Sequence, residues 1–322
     1  MRLAVLLALA LPAFSAASVL SESNNKPFFY KGHDLSSLKT LEDGGSTFKD
    51  TARHNLTRPV EDILDDGGMN TVRLRIWVNP VGGTNGLEYT IALAKRFQRK
   101  GYKIYLDFHF SDYWADPNKQ PPPAAWPETL RPLASTLRTY VKSTLISFKK
   151  AGINLDIVAL GNEIRHGMLW PIGYVDVDIQ PWSATVANFS SLATLYKAAR
   201  AGVDDAIHAG VRKPDVMIHV DNGWNITLQQ RWYGALIANG VPESAFDTIG
   251  VSFYPFYGYV YRFFCPRRPN ISGSSDISSD QTSVNSDSIS HTLIEAKLSL
   301  LQYGSNILQS QNKSQYPRKA IP

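Results

Sequence analysis

Asn162-Glu163 closes an apolar run, Ile157-Val158-Ala159-Leu160-Gly161. A carboxyl at a strand end, inside a partly dry cleft, holds its proton more tightly than one in open water. Such a group can deliver that proton to a leaving oxygen near neutral pH, as the acid in glycosidic bond cleavage does. The Asn before it can hydrogen-bond the 2-hydroxyl of a sugar, a contact that strengthens in the transition state. The dipeptide alone fits equally well a Glu that caps the next turn or pairs with Arg165. Its place at the end of the fourth strand-like run favours the chemical reading.

Four further runs end in polar residues. Arg73 and Arg75, Asp107 and His109, His219 and Asp221 are each two residues apart, and Tyr254 ends the sixth run. Side chains two apart on a strand share a face, so each pair can point into one cleft. The strand-like runs lie at 28–32, 71–77, 103–109, 157–160, 216–220 and 249–253. Between them, 87–100, 133–149 and 192–209 repeat apolar residues near helical spacing, with Gly101, Gly152 and Gly210 just beyond their ends. Alternating strands and helices predict right-handed βαβ units on a parallel sheet. No Gly-rich phosphate loop follows any strand, so a dinucleotide-binding sheet lacks its signature. Polar groups gathered at the C-terminal ends of parallel strands are the active-site layout of a (β/α)₈ barrel. The predicted fold is therefore an incomplete TIM barrel of about six strands.

The chain has 322 residues, 43% of them apolar and 19% charged, enough for a sizeable core. A net charge of +5 without a basic run argues against a nucleic-acid partner. Residues 1–17 read as a secretory signal: Arg2 supplies the positive start, 4–14 the apolar stretch and Ser15-Ala16-Ala17 the small residues at a cleavage site. The stretch is too short to span a bilayer, so no membrane partner is expected, and the expected location is extracellular. Cys265 is the only cysteine, which excludes an intramolecular disulfide and a Cys-based metal site. His33, His109 and His219 lack local metal-ligand spacing, so no metal and no cofactor is expected. Asn55, Asn188, Asn225, Asn270 and Asn312 begin glycosylation sequons.

Longer motifs carry a resemblance. Gly161-Asn162-Glu163-Ile164-Arg165 continues through Gly167 to Leu169-Trp170-Pro171. Asp107-Phe108-His109 continues through Ser111-Asp112 to Trp114-Ala115-Asp116-Pro117. With them stand Gly32-His33-Asp34-Leu35-Ser36-Ser37-Leu38, Arg73-x-Arg75-x-Trp77-Val78-Asn79-Pro80, His219-x-Asp221-x-Gly223-Trp224 and Ser252-Phe253-Tyr254-Pro255-Phe256-Tyr257. From about residue 29 to 257 the chain resembles glycoside hydrolase family 53, the endo-β-1,4-galactanases. The resemblance implies a retaining mechanism on a (β/α)₈ barrel, with β-1,4-galactan or type I arabinogalactan as the polysaccharide partner and a monomeric enzyme. It implies Glu163 as acid/base, and Arg73 beneath the second carboxylate, keeping it ionised. It implies Asn162 at the 2-hydroxyl, and His109, Asp112, Trp114, His219, Asp221, Trp224 and Tyr254 along the cleft. On their own, His109 and His219 also fit hydrogen-bonded core histidines, Trp77 fits core packing, and Asp107 fits an ion pair with Arg73 or Arg75.

The chain departs from the family after Tyr257. A retaining pair needs two carboxylates about 5–5.5 Å apart, and the family's nucleophile ends a seventh strand before a Trp-Pro motif. Here the only later acidic residues are Asp276, Asp280, Asp287 and Glu295, and no Trp follows. Residues 259–322 hold 13 Ser and two Gly and read as a mostly disordered tail without strands seven and eight. The domain reading is thus a signal at 1–17, a truncated barrel at 18–258 and a Ser-rich tail. A natural truncation and a retained intron or frameshift after Tyr257 both account for it; the transcript across codon 258 separates them. The polypeptide as written is expected to be poorly soluble or inactive. A non-hydrolytic carbohydrate-binding remnant and another retaining glycosidase of the same clan, of mannanase or xylanase type, are the alternatives.

Overall fold

The computed structural model describes residues 28–252. Six strands form one parallel sheet in chain order: β1 Gly32–Asp34, β2 Thr71–Ile76, β3 Lys103–Phe108, β4 Ile157–Leu160, β5 Asp215–Val220 and β6 Thr248–Val251. Each strand pairs with the next, so the sheet curls as a half-barrel. Among the described residues, β1 and β6 are paired on one side only. β1 is exposed and β6 half-buried throughout, whereas all four residues of β4 are buried. The predicted incomplete barrel is the observed architecture. The expected tail, the signal segment and Tyr254 lie outside the described residues.

Among the described residues seven α-helices accompany the sheet: α1 Leu38–Asp43, α2 Val60–Asp66, α3 Leu87–Arg99, α4 Leu130–Lys150, α5 Trp182–Asn188, α6 Ser190–His208 and α7 Ile226–Ala238. α3, α4 and α6 match the three helical patterns read from spacing. α4 buries Leu133, Leu137, Val141, Leu145 and Phe148, one stripe at intervals of three and four. That stripe meets α6, where Gly202 brings the two backbones together: a Cβ there would lie 2.6 Å from the Arg138 carbonyl oxygen. Val72, Leu74 and Ile76 of β2 are fully buried, and the alternating Arg73 and Arg75 take the opposite face.

The first strand sits later than its apolar pattern suggests. Phe28, Phe29 and Tyr30 were expected in it, yet all three are exposed and the ladder begins at Gly32. The preceding backbone is held by Asn70, whose side chain accepts from the Lys31 N–H at 2.8 Å and donates to the Phe29 carbonyl at 2.8 Å. Side-chain bonds thus take the place of ladder bonds there. The pairing that begins at Gly32 sets Asp34 beside Arg73 in register.

Candidate active site

The polar ends of the strands converge on a cavity of about 540 Å³. Of the residues expected at the site, Arg73, Trp114, Asn162, Glu163 and His219 line it. Asp34 from β1, Arg75 from β2 and Ser252 just after β6 also line it, and reading the sequence did not single them out as site residues. The signal for Arg75 was present, since it shares a face with Arg73. Asp34 and Ser252 stood within motifs, but nothing local marked them as partners of residues dozens of positions away.

Arg73 is the hub. Its guanidinium donates to Asp34 Oδ2 and Asp107 Oδ2, and at 2.9 Å to Asn162 Oδ1. Asp107 is fully buried and is the in-register partner of Arg75, so its ion pair with Arg73 runs diagonally across the ladder. Of its two expected partners, the structure pairs it with Arg73. Two carboxylates share one guanidinium, and burial pushes the deeper one, Asp107, up to about 7 against the pull of Arg73. Burial works against the charge on Arg73 too, yet Asp107, Tyr105 and Asp34 hold that group above its ordinary value. Arg75 stacks over the Trp114 ring at 4.5 Å and donates to Ser37 Oγ at 3.0 Å. Trp114 keeps 38% of its surface exposed, a flat apolar face on the cavity wall.

Asn162 is only 2% exposed, and its amide is fixed from both sides. Oδ1 accepts from Arg73, Nδ2 donates to the Ala115 carbonyl at 2.8 Å, and Gln120 Nε2 donates to the Asn162 carbonyl at 2.8 Å. The turn that follows uses two left-handed residues, Gly161 at φ +110° and Glu163 at φ +52°. For a glutamate that conformation costs roughly 1–2 kcal/mol. Such strain concentrates at functional sites.

Neither structural alternative for Glu163 is realised. Its side chain makes no capping bond to the short 3₁₀ turn that follows, and Arg165 pairs at 2.8 Å with Asp221 instead. The Glu163 carboxyl accepts from the Ser252 hydroxyl through Oε1. Its proton affinity is raised, chiefly by burial, with the Asp221 and Asp116 charges adding and the Ser252 bond and Arg73 opposing.

Four expected residues are not among those that line this cavity. His109 is 1% exposed; its Nδ1 accepts from the Ala115 N–H at 3.2 Å, which leaves the hydrogen on Nε2, 3.9 Å from Asp107 Oδ2. Asp112 accepts backbone N–H groups on both oxygens, Asn79 and Ala124 each at 2.9 Å, and so ties two loops together. Asp221 holds Arg165, and its carbonyl accepts from Gln229 Nε2 at 2.9 Å. Trp224 is half-buried in the turn before α7. Among the described residues, no group of three or more His, Cys, Asp or Glu is placed to hold a metal ion.

Both site histidines are held neutral. Burial, aided by Arg73, pushes His219 down to about 3, and burial pushes His109 well below its ordinary range. The surface that His219 keeps is cavity wall. At these two imidazoles the unfolded chain therefore binds more protons than the folded one below the ordinary histidine pKa of 6.5. Their contribution to stability is complete above 6.5 and is lost as pH falls toward 3. One differential proton costs up to about 1.4 kcal/mol per pH unit in that window. The raised Asp107 and Glu163 carboxyls oppose this trend over the same range, so the readout is a difference: from pH 6.5 to pH 4 the urea unfolding midpoint of the unaltered chain should drop relative to that of His219→Gln. Parallel profiles for the unaltered chain and His219→Gln would overturn the assignment of a neutral imidazole at 219.

The family model described as Glycosyl hydrolase family 53 matches residues 30–264. An arabinogalactan endo-β-1,4-galactanase from Thermothelomyces thermophilus is 42% identical over 229 residues, 71% of this chain and 64% of the relative. A solved fungal β-1,4-galactanase superposes with a TM-score of 0.63 at 41% identity, covering 71% of this chain and 64% of that one. The family 53 catalytic domain of Ignisphaera aggregans gives a TM-score of 0.61 at 30% identity, covering 71% and 60%. The chain thus spans slightly under two thirds of the length of these relatives. With the motif-bearing strand ends, the half-barrel and the match over most of its length, this chain belongs to glycosyl hydrolase family 53.

Proposed function

We propose that the cavity is a β-1,4-galactan site in which Glu163 is the acid/base of a retaining endo-hydrolysis. The observation that carries this reading is the Glu163 carboxyl itself, raised in proton affinity by burial and facing a cavity shared with Arg73, Asn162 and Trp114. In the first step Glu163 gives its proton to the glycosidic oxygen as the bond from that oxygen to C1 breaks. In the complete retaining reaction a second carboxylate, for which no residue of this chain is assigned, would attack C1 and form a galactosyl ester. In the second step Glu163 takes a proton from the water that displaces the ester. Asn162 Nδ2 donates one hydrogen to Ala115 and has a second for the sugar 2-hydroxyl. Trp114 offers its face to the sugar C–H surface. The substrate class is type I arabinogalactan, the acting species a secreted monomer. No residue of this chain is assigned the nucleophile, so the unaltered chain is expected to be inactive on galactan.

Two preparations test this. The 322-residue chain should be retarded in gels that contain galactan but not in gels that contain mannan or xylan. A chimera should release reducing ends from galactan; in it, residues after 257 are replaced by the segment that follows the aligned region in the T. thermophilus relative. Retardation without cleavage by the chimera would favour a binding remnant, and cleavage of mannan or xylan in preference to galactan would reassign the substrate. Robust galactan cleavage by the unaltered chain would overturn the missing-nucleophile reading.

A further inference from the structure

Among the described residues, no cation pairs directly with Glu163. The nearest arginine in sequence, Arg165, is engaged by Asp221, and the guanidinium of Arg73 goes to Asp34, Asp107 and Asn162. The carboxyl is gripped by one hydroxyl, that of Ser252, which donates to Oε1. The same hydroxyl oxygen lies 3.1 Å from His219 Nε2. A hydroxyl that spends its only hydrogen on Glu163 presents lone pairs to the imidazole, so Nε2 carries the hydrogen and Nδ1 is bare. Among the described residues His219 Nδ1 is buried without a partner, which suits an unprotonated nitrogen.

The fold holds this alignment from behind. The Ser252 N–H donates to the Val220 carbonyl at 2.9 Å, continuing the β5–β6 ladder by one residue past its last pair. His219 faces Gly250 in register, where a Cβ would come within 3.4 Å of the ring and 2.5 Å of Met217 Sδ. Glycine at 250 therefore gives the imidazole and its neighbour room to lie against β6.

We propose that Ser252, backed by His219, is a positioning residue for Glu163, forming a one-way donor chain from His219 Nε2–H through Ser252 Oγ–H to Glu163 Oε1. Because Oε1 accepts, the transferable proton resides on Oε2, the oxygen then left to meet the glycosidic oxygen. The inference rests on the reading of Glu163 as acid/base and assigns the oxygen that acts. The charged groups around this carboxyl are Asp221 at the end of β5, Asp116 in the loop after β3 and Arg73 on β2. Burial keeps His219 neutral across the working range, so the donor direction does not reverse with pH.

Carbon-13 NMR of the full chain with labelled glutamate carboxyls reads this directly, the Glu163 signal being identified by its loss in Glu163→Gln. A donor to a carboxylate favours the charged form. Ser252→Ala should therefore tighten proton binding at Glu163 by about tenfold, the effect of losing one charge-assisted hydrogen bond. Ser252→Thr, which restores the hydroxyl, should stay within about twofold of the unaltered chain. Ser252→Cys, close in size but a poor donor, should move in the direction of alanine and serves if the alanine variant does not fold. His219→Phe should move the same way by less. Equal midpoints in Ser252→Ala and Ser252→Thr, or a midpoint that falls in Ser252→Ala, would overturn the proposal. The titration contains no galactan, so failure of galactan binding and failure of the donor chain are read separately.

Discussion

Glu163→Gln in the chimera should lose galactan turnover by about 10²–10⁴-fold, the usual contribution of a positioned proton donor. The amide fills the same space and still accepts from Ser252, but it has no proton to give. Retardation in galactan gels should persist, because the Arg73, Asn162 and Trp114 side of the cavity is untouched. The loss should also depend on the leaving group. An aryl galactoside whose phenol departs without protonation should lose far less in its first step than galactan does. A variant with unchanged rates on galactan, or with equal losses on both substrates, would clear Glu163 of the acid role. Stability should not suffer, since the change removes a carboxyl whose charged form is disfavoured by burial.

Arg73→Met is expected to have the largest effect on the fold. Asp107 is fully buried, and the Arg73 guanidinium is its cation. Removing one member of a buried pair leaves the other charge uncompensated and costs about 3–5 kcal/mol. The direction with pH is specific. Without Arg73 the Asp107 carboxyl binds its proton more tightly still, so the variant escapes part of the penalty by protonation at low pH. The deficit in unfolding free energy should therefore be small near pH 5 and grow above pH 7. Arg73→Met combined with Asp107→Asn should recover most of it, because no charge is then stranded. Chemical denaturation of the two variants at both pH values checks this. A deficit independent of pH would mean that packing around the guanidinium stem, rather than the buried charge, sets the cost.

The parts of the site that could be read from the chain are those set by periodicity. Alternation on β2 places Arg73 and Arg75 on one face and Val72, Leu74 and Ile76 on the other, whatever the neighbouring strands do. Four consecutive apolar residues before Gly161-Asn162-Glu163 mark a strand buried on both faces with a polar end. Stripes on α3, α4 and α6 are equally local. The expected first strand went astray because Phe28, Phe29 and Tyr30 carry strand-forming side chains, while Asn70, about forty positions on, supplies the bonds that replace a ladder there.

The sequence by itself determined that polar strand ends meet at one rim of a half-barrel, because the two-residue and 3.6-residue repeats fix which way each side chain faces. Only the tertiary structure decided how those ends are wired together. Ser252 meets Glu163 across 89 positions, Arg73 reaches Asn162 across 89, and Arg165 turns from its near neighbour Glu163 to Asp221, 56 positions away. Asp112, expected along the cleft, is drawn into the backbone of two loops. Which strand end touches which depends on the tilt and register of a curled sheet, and those are properties of all the strands packed together rather than of any stretch of chain.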